Sequence, residues 1–334
     1  MCGRISAHSV FFEKRSSAIL PYQPCPLTLT YPLTTMQTYH FCVADQRFVV
    51  DLLDHHSPAY FLPSYRPFRC ELPADVDADA LFRLTLSETP IPTDTDTLEN
   101  VGEVFCGGCS HKIWRTPDAS SYLILVHDVD GTLACTLLTA DHFSRNCCNL
   151  HGSPEVQCFG LNNALMLCYS FSAAPRGLVM VHASVPCTPD AAYLFLGKSG
   201  TGKSTHTQLW LRHIPNVELL NDDNPVVRLM PDGSVRVYGT PWSGKTPCYR
   251  PIHRPLRGIL KLQQAPHNAI RRLPAVGAMS EVLGSCSIMP WDQTTYQQIC
   301  KTAIAIVAAT PVFHLQNLPN EEACRMSHQA LTQP

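Results

Sequence analysis

One octapeptide limits what this chain can build more than any other stretch. Gly197-Lys-Ser-Gly-Thr-Gly-Lys-Ser204 fits the pattern G-x-x-x-x-G-K-[ST] at every fixed position. An apolar run, Ala191-Ala-Tyr-Leu-Phe-Leu196, predicts a strand entering it, and Lys203–Arg212 predicts a helix leaving it. Each part has a physical task. Gly197, Gly200 and Gly202 let the main chain curl so that its N–H groups face inward, towards phosphate oxygens. The helix N-terminus adds partial positive charge. Lys203 neutralises the outer phosphates, and Ser204 offers a hydroxyl to Mg²⁺. The segment Gly197, Lys198, Ser199, Gly200, Thr201, Gly202, Lys203, Ser204 and Thr205 is therefore the expected polyphosphate cradle, with ATP as donor and Mg²⁺ as its companion. The loop handles phosphates only, so GTP, ADP or pyrophosphate stay open.

Beyond Lys203 comes Asp222-Asp223, after Val217-Glu-Leu-Leu-Asn221. One helix and one strand fit the interval, which predicts the acids at the end of a strand paired beside the loop. Two adjacent carboxylates there can divide labour, one holding Mg²⁺ and one accepting a proton from an attacking hydroxyl. Asn221-Asp-Asp-Asn-Pro225 also has the chemistry of a plain turn. His182, in Met180-Val-His-Ala-Ser-Val185, falls in the strand before the loop's own strand; taken alone it reads as an ordinary strand histidine. Further on, Tyr238-Gly-Thr-Pro-Trp-Ser-Gly-Lys-Thr-Pro-Cys-Tyr-Arg250 has two prolines, two glycines and a tryptophan in a short span, which predicts a fixed, shaped loop. Its Lys245 and Arg250 are candidate contacts for phosphate or an anionic substrate.

The remainder is read from texture. With 334 residues, the chain suits two domains. Apolar residues make up 45% and charged residues only 16%, which excludes a disordered charged tail protein. No apolar run is long enough to span a bilayer and no secretory leader is visible, so the expectation is a cytoplasmic protein with no membrane partner. A net charge of −2 argues against nucleic acid. Charge is unevenly spread: residues 1–155 carry 10 Lys/Arg against 18 Asp/Glu, and residues 156–334 carry 15 against 9. Anion chemistry is expected in the second part. The 16 cysteines read mostly as small buried hydrophobes, and Cys106-Gly-Gly-Cys109 as a turn between strands rather than a zinc or redox site.

Residues 1–35, broken by prolines, read as an extension, with the folded chain starting near Met36. Residues 36–155 read as a smaller α+β or mostly β domain, with strands at Arg47–Leu53, Leu81–Leu86 and Ser121–His127 and a hairpin through Asp128–Gly131. Residues 156–334 read as an α/β domain with a mixed sheet. Strands are expected at Gly177–Val185, Ala191–Leu196, Val217–Leu220, Val226–Leu229, Ser234–Tyr238 and Gly258–Leu262. Helices are expected at Leu161–Phe171, Lys203–Arg212, Met279–Gly284, Asp292–Ala309 and Glu321–Leu331.

Taken together, Val181–Val185, Gly197–Thr205 and Leu219–Asp223 resemble the catalytic domain of HPr kinase/phosphorylase, a P-loop family that shares its nucleotide-binding fold with phosphoenolpyruvate carboxykinase. Within that group the chain is similar to Bacteroidetes members and to free-serine kinases. The resemblance covers roughly residues 156–334. It implies His182 as a catalytic neighbour, Asp222 as general base with Lys203 beside it, and Asp223 with Ser204 as metal-associated groups. The chain departs from HPr kinase at Thr205, where that family has Glu, so neither phosphorylase activity nor HPr as acceptor is carried over. A carboxykinase is longer and has a larger substrate domain, which makes that activity the weaker reading.

The function expected is an ATP- and Mg²⁺-dependent kinase acting on a serine-type hydroxyl of a protein or small molecule, with a homo-oligomer as an option. The alternative of another class is a nucleotide-gated binding protein that transfers no phosphate.

Overall fold

The alternating stretch from Met36 folds back at Ala44-Asp45, whose φ angles of 49° and 60° are both positive, as a two-residue hairpin turn requires. This hairpin, β1 (Met36–Val43) and β2 (Gln46–Leu53), opens an eight-stranded sheet. The structure is a computed structural model that describes residues 35–71, 79–106, 109–244 and 246–333; from Thr35 on, the chain forms one compact unit. The expected extension up to residue 34 lies outside the described residues, as does Lys245.

A short helix, α1 (Pro58–Phe61), and a 3-10 segment (Pro63–Phe68) follow the hairpin. The remaining strands of the sheet are β3 (Arg83–Leu86), β4 (Glu99–Cys106), β5 (Cys109–Arg115), β6 (Tyr122–His127), β7 (Leu133–Ala140) and β8 (Arg145–Leu150). They lie in the order β1-β2-β3-β8-β7-β6-β5-β4. Strand β3 runs parallel to both neighbours and the other ladders are antiparallel. Cys106 and Cys109 are the last pair of the β4–β5 ladder. The two glycines between them lie outside the described residues.

Helix α2 (Pro154–Ser172) starts earlier than its apolar run because Ser153 caps it, accepting the N–H of Val156, and Pro154 suits the first turn. Leu161, Ala164, Leu165, Cys168 and Tyr169 are buried at helical spacing. They join the core of the first sheet, among Phe48, Leu84 and Leu137. Burying a large apolar side chain contributes about 1.5–3 kcal/mol, so this one face fixes the helix to that sheet.

The second sheet holds β9 (Leu178–Met180), β10 (Ala183–Cys187), β11 (Ala192–Leu196), β12 (Glu218–Asp223), β13 (Val226–Leu229), β14 (Val235–Tyr238), β15 (His253–Gln264), β16 (Ala269–Arg272) and β17 (Val312–Asn317). Its order is β12-β10-β11-β15-β14-β13-β9, with β17 also beside β15 and β16 beyond β17. The long β15 first pairs with β14, then runs on between β11 and β17, parallel to both. One face is covered by α3 (Lys203–His213) and α6 (Glu321–Thr332), which bury Trp210, Cys324 and Leu331 against Phe195 and Leu260. The other is covered by α4 (Ala275–Leu283) and α5 (Gln293–Ala309), through Val282, Ile299 and Ile306. The protein is thus mixed α/β with two mixed sheets.

Two expectations need correction. The strand expected over Gly177–Val185 is interrupted: Val181 bridges to Cys286, and the N–H of His182 donates to the Ser285 carbonyl at 2.7 Å. The strand carrying the acids does not pair with the loop's own strand. The β10–β11 hairpin takes that edge, so β12 pairs with β10, one strand further out. No described helix is long and apolar enough to cross a membrane.

Candidate active site at the end of β11

Strand β11 is buried along its whole length and delivers the chain to Gly197. Gly200 and Gly202 then take φ of 80° and 92°, a left-handed curl that a side chain would strain. Thr201 stabilises the curl, its N–H and its Oγ1 both donating to the Lys198 carbonyl, at 3.2 and 2.8 Å. Gln264, at the end of β15 and beyond its pairing with β11, donates to the Gly200 carbonyl at 3.2 Å. Lys198, Ser199 and Gly200 are exposed, while Gly197 is buried. The first turn of α3 stays in place because Thr207 hydrogen-bonds Ser184 of β10 at 2.8 Å, a buried pair.

Lys203 opens α3 and turns back over the loop. Its ammonium donates to the Gly197 carbonyl at 2.8 Å, to the Lys198 carbonyl at 3.4 Å, and to His182 Nε2 at 2.9 Å. An ammonium only donates, so Nε2 accepts and the imidazole proton sits on Nδ1. From there it reaches Asp223 Oδ1 at 2.9 Å. Lysine, imidazole and carboxylate thus form one connected chain. Burial holds the Lys203 ammonium below the ordinary lysine range, with Asp223 and Asp222 pulling it up and Lys261 pushing it down.

The second contact runs to the other acid. Ser204 Oγ lies 3.2 Å from each carboxylate oxygen of Asp222, whose residue is only 5% exposed. Ser204 and Asp222 are hard oxygen donors side by side, a pairing that fits Mg²⁺. Asp223 is more open, with 35% of its side chain exposed. Its φ of 136° is outside the regions that residues with a side chain prefer.

The shaped loop after Tyr238 locks both acids from outside. Asn221 donates to Thr240 Oγ1 at 3.1 Å and to the Trp242 carbonyl at 3.3 Å, while Thr240 Oγ1 donates to the Asn224 carbonyl at 2.7 Å. Ser243 Oγ and the Gly244 N–H both donate to the Asp222 carbonyl, at 3.1 and 2.5 Å. A methyl group at Gly244 would stand 3.1 Å from Asp223 Cβ, so glycine is what allows this approach.

Of the residues singled out from sequence, the structure brings His182, Lys203, Ser204, Asp222 and Asp223 into direct contact. Arg250 stands apart. It binds the Leu219 carbonyl at 2.8 Å and Glu218 at 2.6 Å, at the opposite end of β12 from the acids. Thr205 is exposed on α3. Sequence reasoning passed over Lys261, Gln264 and Gly244. A lysine inside the apolar run Gly258-Ile-Leu-Lys-Leu262 was the available signal for the first.

Two hollows lie away from this site: an apolar one of about 640 Å³ lined by Leu273, Val276, Met279 and Ile304, and one of about 960 Å³ lined by His55, His56, Tyr60 and His151. A phosphate cradle needs no deep hollow, because its ligand rests on main-chain N–H groups at an open edge. No family model matches the chain, and no curated protein matches it.

Proposed function

We propose that this chain is a cytoplasmic ATP- and Mg²⁺-dependent kinase, built on a P-loop nucleotide-binding domain of the HPr kinase and phosphoenolpyruvate carboxykinase kind. It transfers the terminal phosphoryl group of ATP to a hydroxyl of a protein or small-molecule acceptor. The observation that carries this reading is the connected chain Lys203–His182–Asp223 beside the contact of Ser204 with Asp222, all at the mouth of a complete phosphate loop.

Roles follow from neighbours. The resemblance assigns the base to Asp222 and the metal to Asp223; the contacts here favour the reverse. Buried Asp222 adjoins the hydroxyl that the loop offers to Mg²⁺, and these two groups would hold the ion. When bound, Mg²⁺ supplies charge neutralisation between the phosphates. Asp223 is open enough to meet an acceptor. His182 donates to its Oδ1 and Asn224 to its Oδ2 at 2.9 Å, which aims the carboxylate. In the transfer, Asp223 takes the acceptor's proton as the new O–P bond forms and the bond to the bridging β–γ oxygen breaks. Lys203 then offsets the charge left on the departing ADP. Bound phosphates would draw its ammonium away from the Gly197 carbonyl.

The test is label transfer from γ-labelled ATP to candidate hydroxyl acceptors. Asp223→Asn is expected to lose about 10²–10⁴-fold in transfer with nucleotide affinity kept. Asp222→Asn is expected to lose the Mg²⁺ dependence of nucleotide binding. Equal transfer by wild type and Asp223→Asn removes the base assignment.

A further inference from the structure

The ladders place six residues in one transverse row. Asp223 lies opposite Ala183, Ala183 opposite Leu196, Leu196 opposite Lys261, Lys261 opposite His314, and His314 opposite Arg271. Cross-strand partners share a face of the sheet. The row therefore runs along one face from the acid on β12 to an arginine on β16, and the phosphate loop departs immediately after its third member. With strands about 4.8 Å apart, Lys261, His314 and Arg271 sit about 5, 10 and 14 Å from β11, on the side away from the acids.

These three side chains converge. Lys261 is ion-paired with Glu281 of α4, and the charges of Arg271, Glu281 and Lys261 all act on the His314 ring. One carboxylate faces two fixed cations, so the group stays net positive. The lysine has two further donors and Arg271 is exposed. A polyphosphate gripped at the loop with its reacting end towards Asp223 must send its other end over β15 and β17, across these residues. The carboxyl ends of parallel strands are also where ligands of open α/β sheets rest.

We propose that Lys261, His314 and Arg271 form the subsite for the non-reacting end of the nucleotide, contacting its α-phosphate and ribose, with Glu281 holding the lysine in place. This subsite rests on the kinase reading above.

Calorimetric titration with two probes tests it, magnesium ATP and magnesium pyrophosphate, which has no counterpart of the α-phosphate, against wild type, Arg271→Ala and His314→Ala. Arg271 lies on the edge strand β16 and His314 on β17 beside it, and thermal melting checks that each variant is folded; Lys261→Met serves as a third variant. The expected result is ATP binding weakened about 5- to 10-fold in Arg271→Ala, with pyrophosphate affinity kept within about 2-fold. Unchanged ATP affinity in all three variants overturns the subsite while leaving the kinase reading intact. Equal weakening of both probes also overturns it, since the row would then serve the β- and γ-phosphates. Failure of the wild type to bind either probe overturns the kinase reading and the subsite together.

Discussion

Asp223 combines an open carboxylate, a histidine partner and a φ of 136°. Backbone strain of this kind costs on the order of 1–3 kcal/mol and persists where surrounding contacts over-determine it. Here the antiparallel register with Ala183, the bridge to Ser243 and the Thr240–Asn224 bond supply that constraint. Glycine and alanine at this position both delete the carboxylate, yet only glycine accepts the angle. Asp223→Gly is therefore expected to exceed Asp223→Ala in unfolding free energy by about 1–2 kcal/mol in urea titrations, with both inactive in transfer. Equal stabilities would mean that the angle carries no strain.

Helix α3 does more than present Lys203. Its His206 is buried, with Nε2 hydrogen-bonded to Ser327 of α6 at 2.9 Å, the same hydroxyl that accepts from Trp210. Burial holds the His206 pKa down to about 4. An unfolded chain takes up this proton below the ordinary value of 6.5, while the folded chain resists until about pH 4. The unfolded state thus binds more protons in that window, and stability falls as pH falls through it. Between pH 7 and pH 5 this one group is expected to remove about 2 kcal/mol. Replacing it, as in His206→Gln, is expected to flatten that part of the pH profile measured by urea unfolding; an unchanged slope would count against the burial. At this scale the sequence was legible where chemistry is local. The phosphate loop, α3 and the acid pair occupy neighbouring stretches with strong patterns. The pairing of His182 with Lys203 and Asp223 was not legible bottom-up, because a break in the strand at Val181 aims the ring, and that break is set by Ser285 and Cys286 far along the chain. Strand β8 escaped notice for a related reason. Polar residues within it are buried; Asn149, for one, binds the Ser87 and Thr89 carbonyls and the Ile91 N–H, so the strand shows no clean alternation.

Across the whole molecule, one core joins the two sheets at the loop that holds the acids. Trp242, only 2% exposed, packs edge-on to Tyr65 of the 3-10 segment at 5.9 Å and tilted against Tyr169 of α2 at 5.2 Å. Two residues further, the Gly244 N–H donates to the Asp222 carbonyl, and a side chain there would crowd Asp223. The first sheet and α2 therefore act as the backing for the active-site loop, which gives the residues before 155 a task although none of them announces catalysis in the sequence. Trp242→Ala is expected to cost about 3–5 kcal/mol in unfolding free energy. Trp242→Phe is expected to recover most of that stability and, with it, transfer activity. A fully stable Trp242→Ala would show that the two sheets do not share this core.

Kinase chemistry here requires the loop after β11 to grip a polyphosphate with Lys203 beside it. Titrating magnesium ATP into wild type and Lys203→Met, each checked for folding, measures that grip most directly. Saturable one-site binding is expected of wild type, with a loss of at least about tenfold in the variant, a difference of about 1.4 kcal/mol. No binding by wild type, or equal affinity in the two proteins, would contradict it.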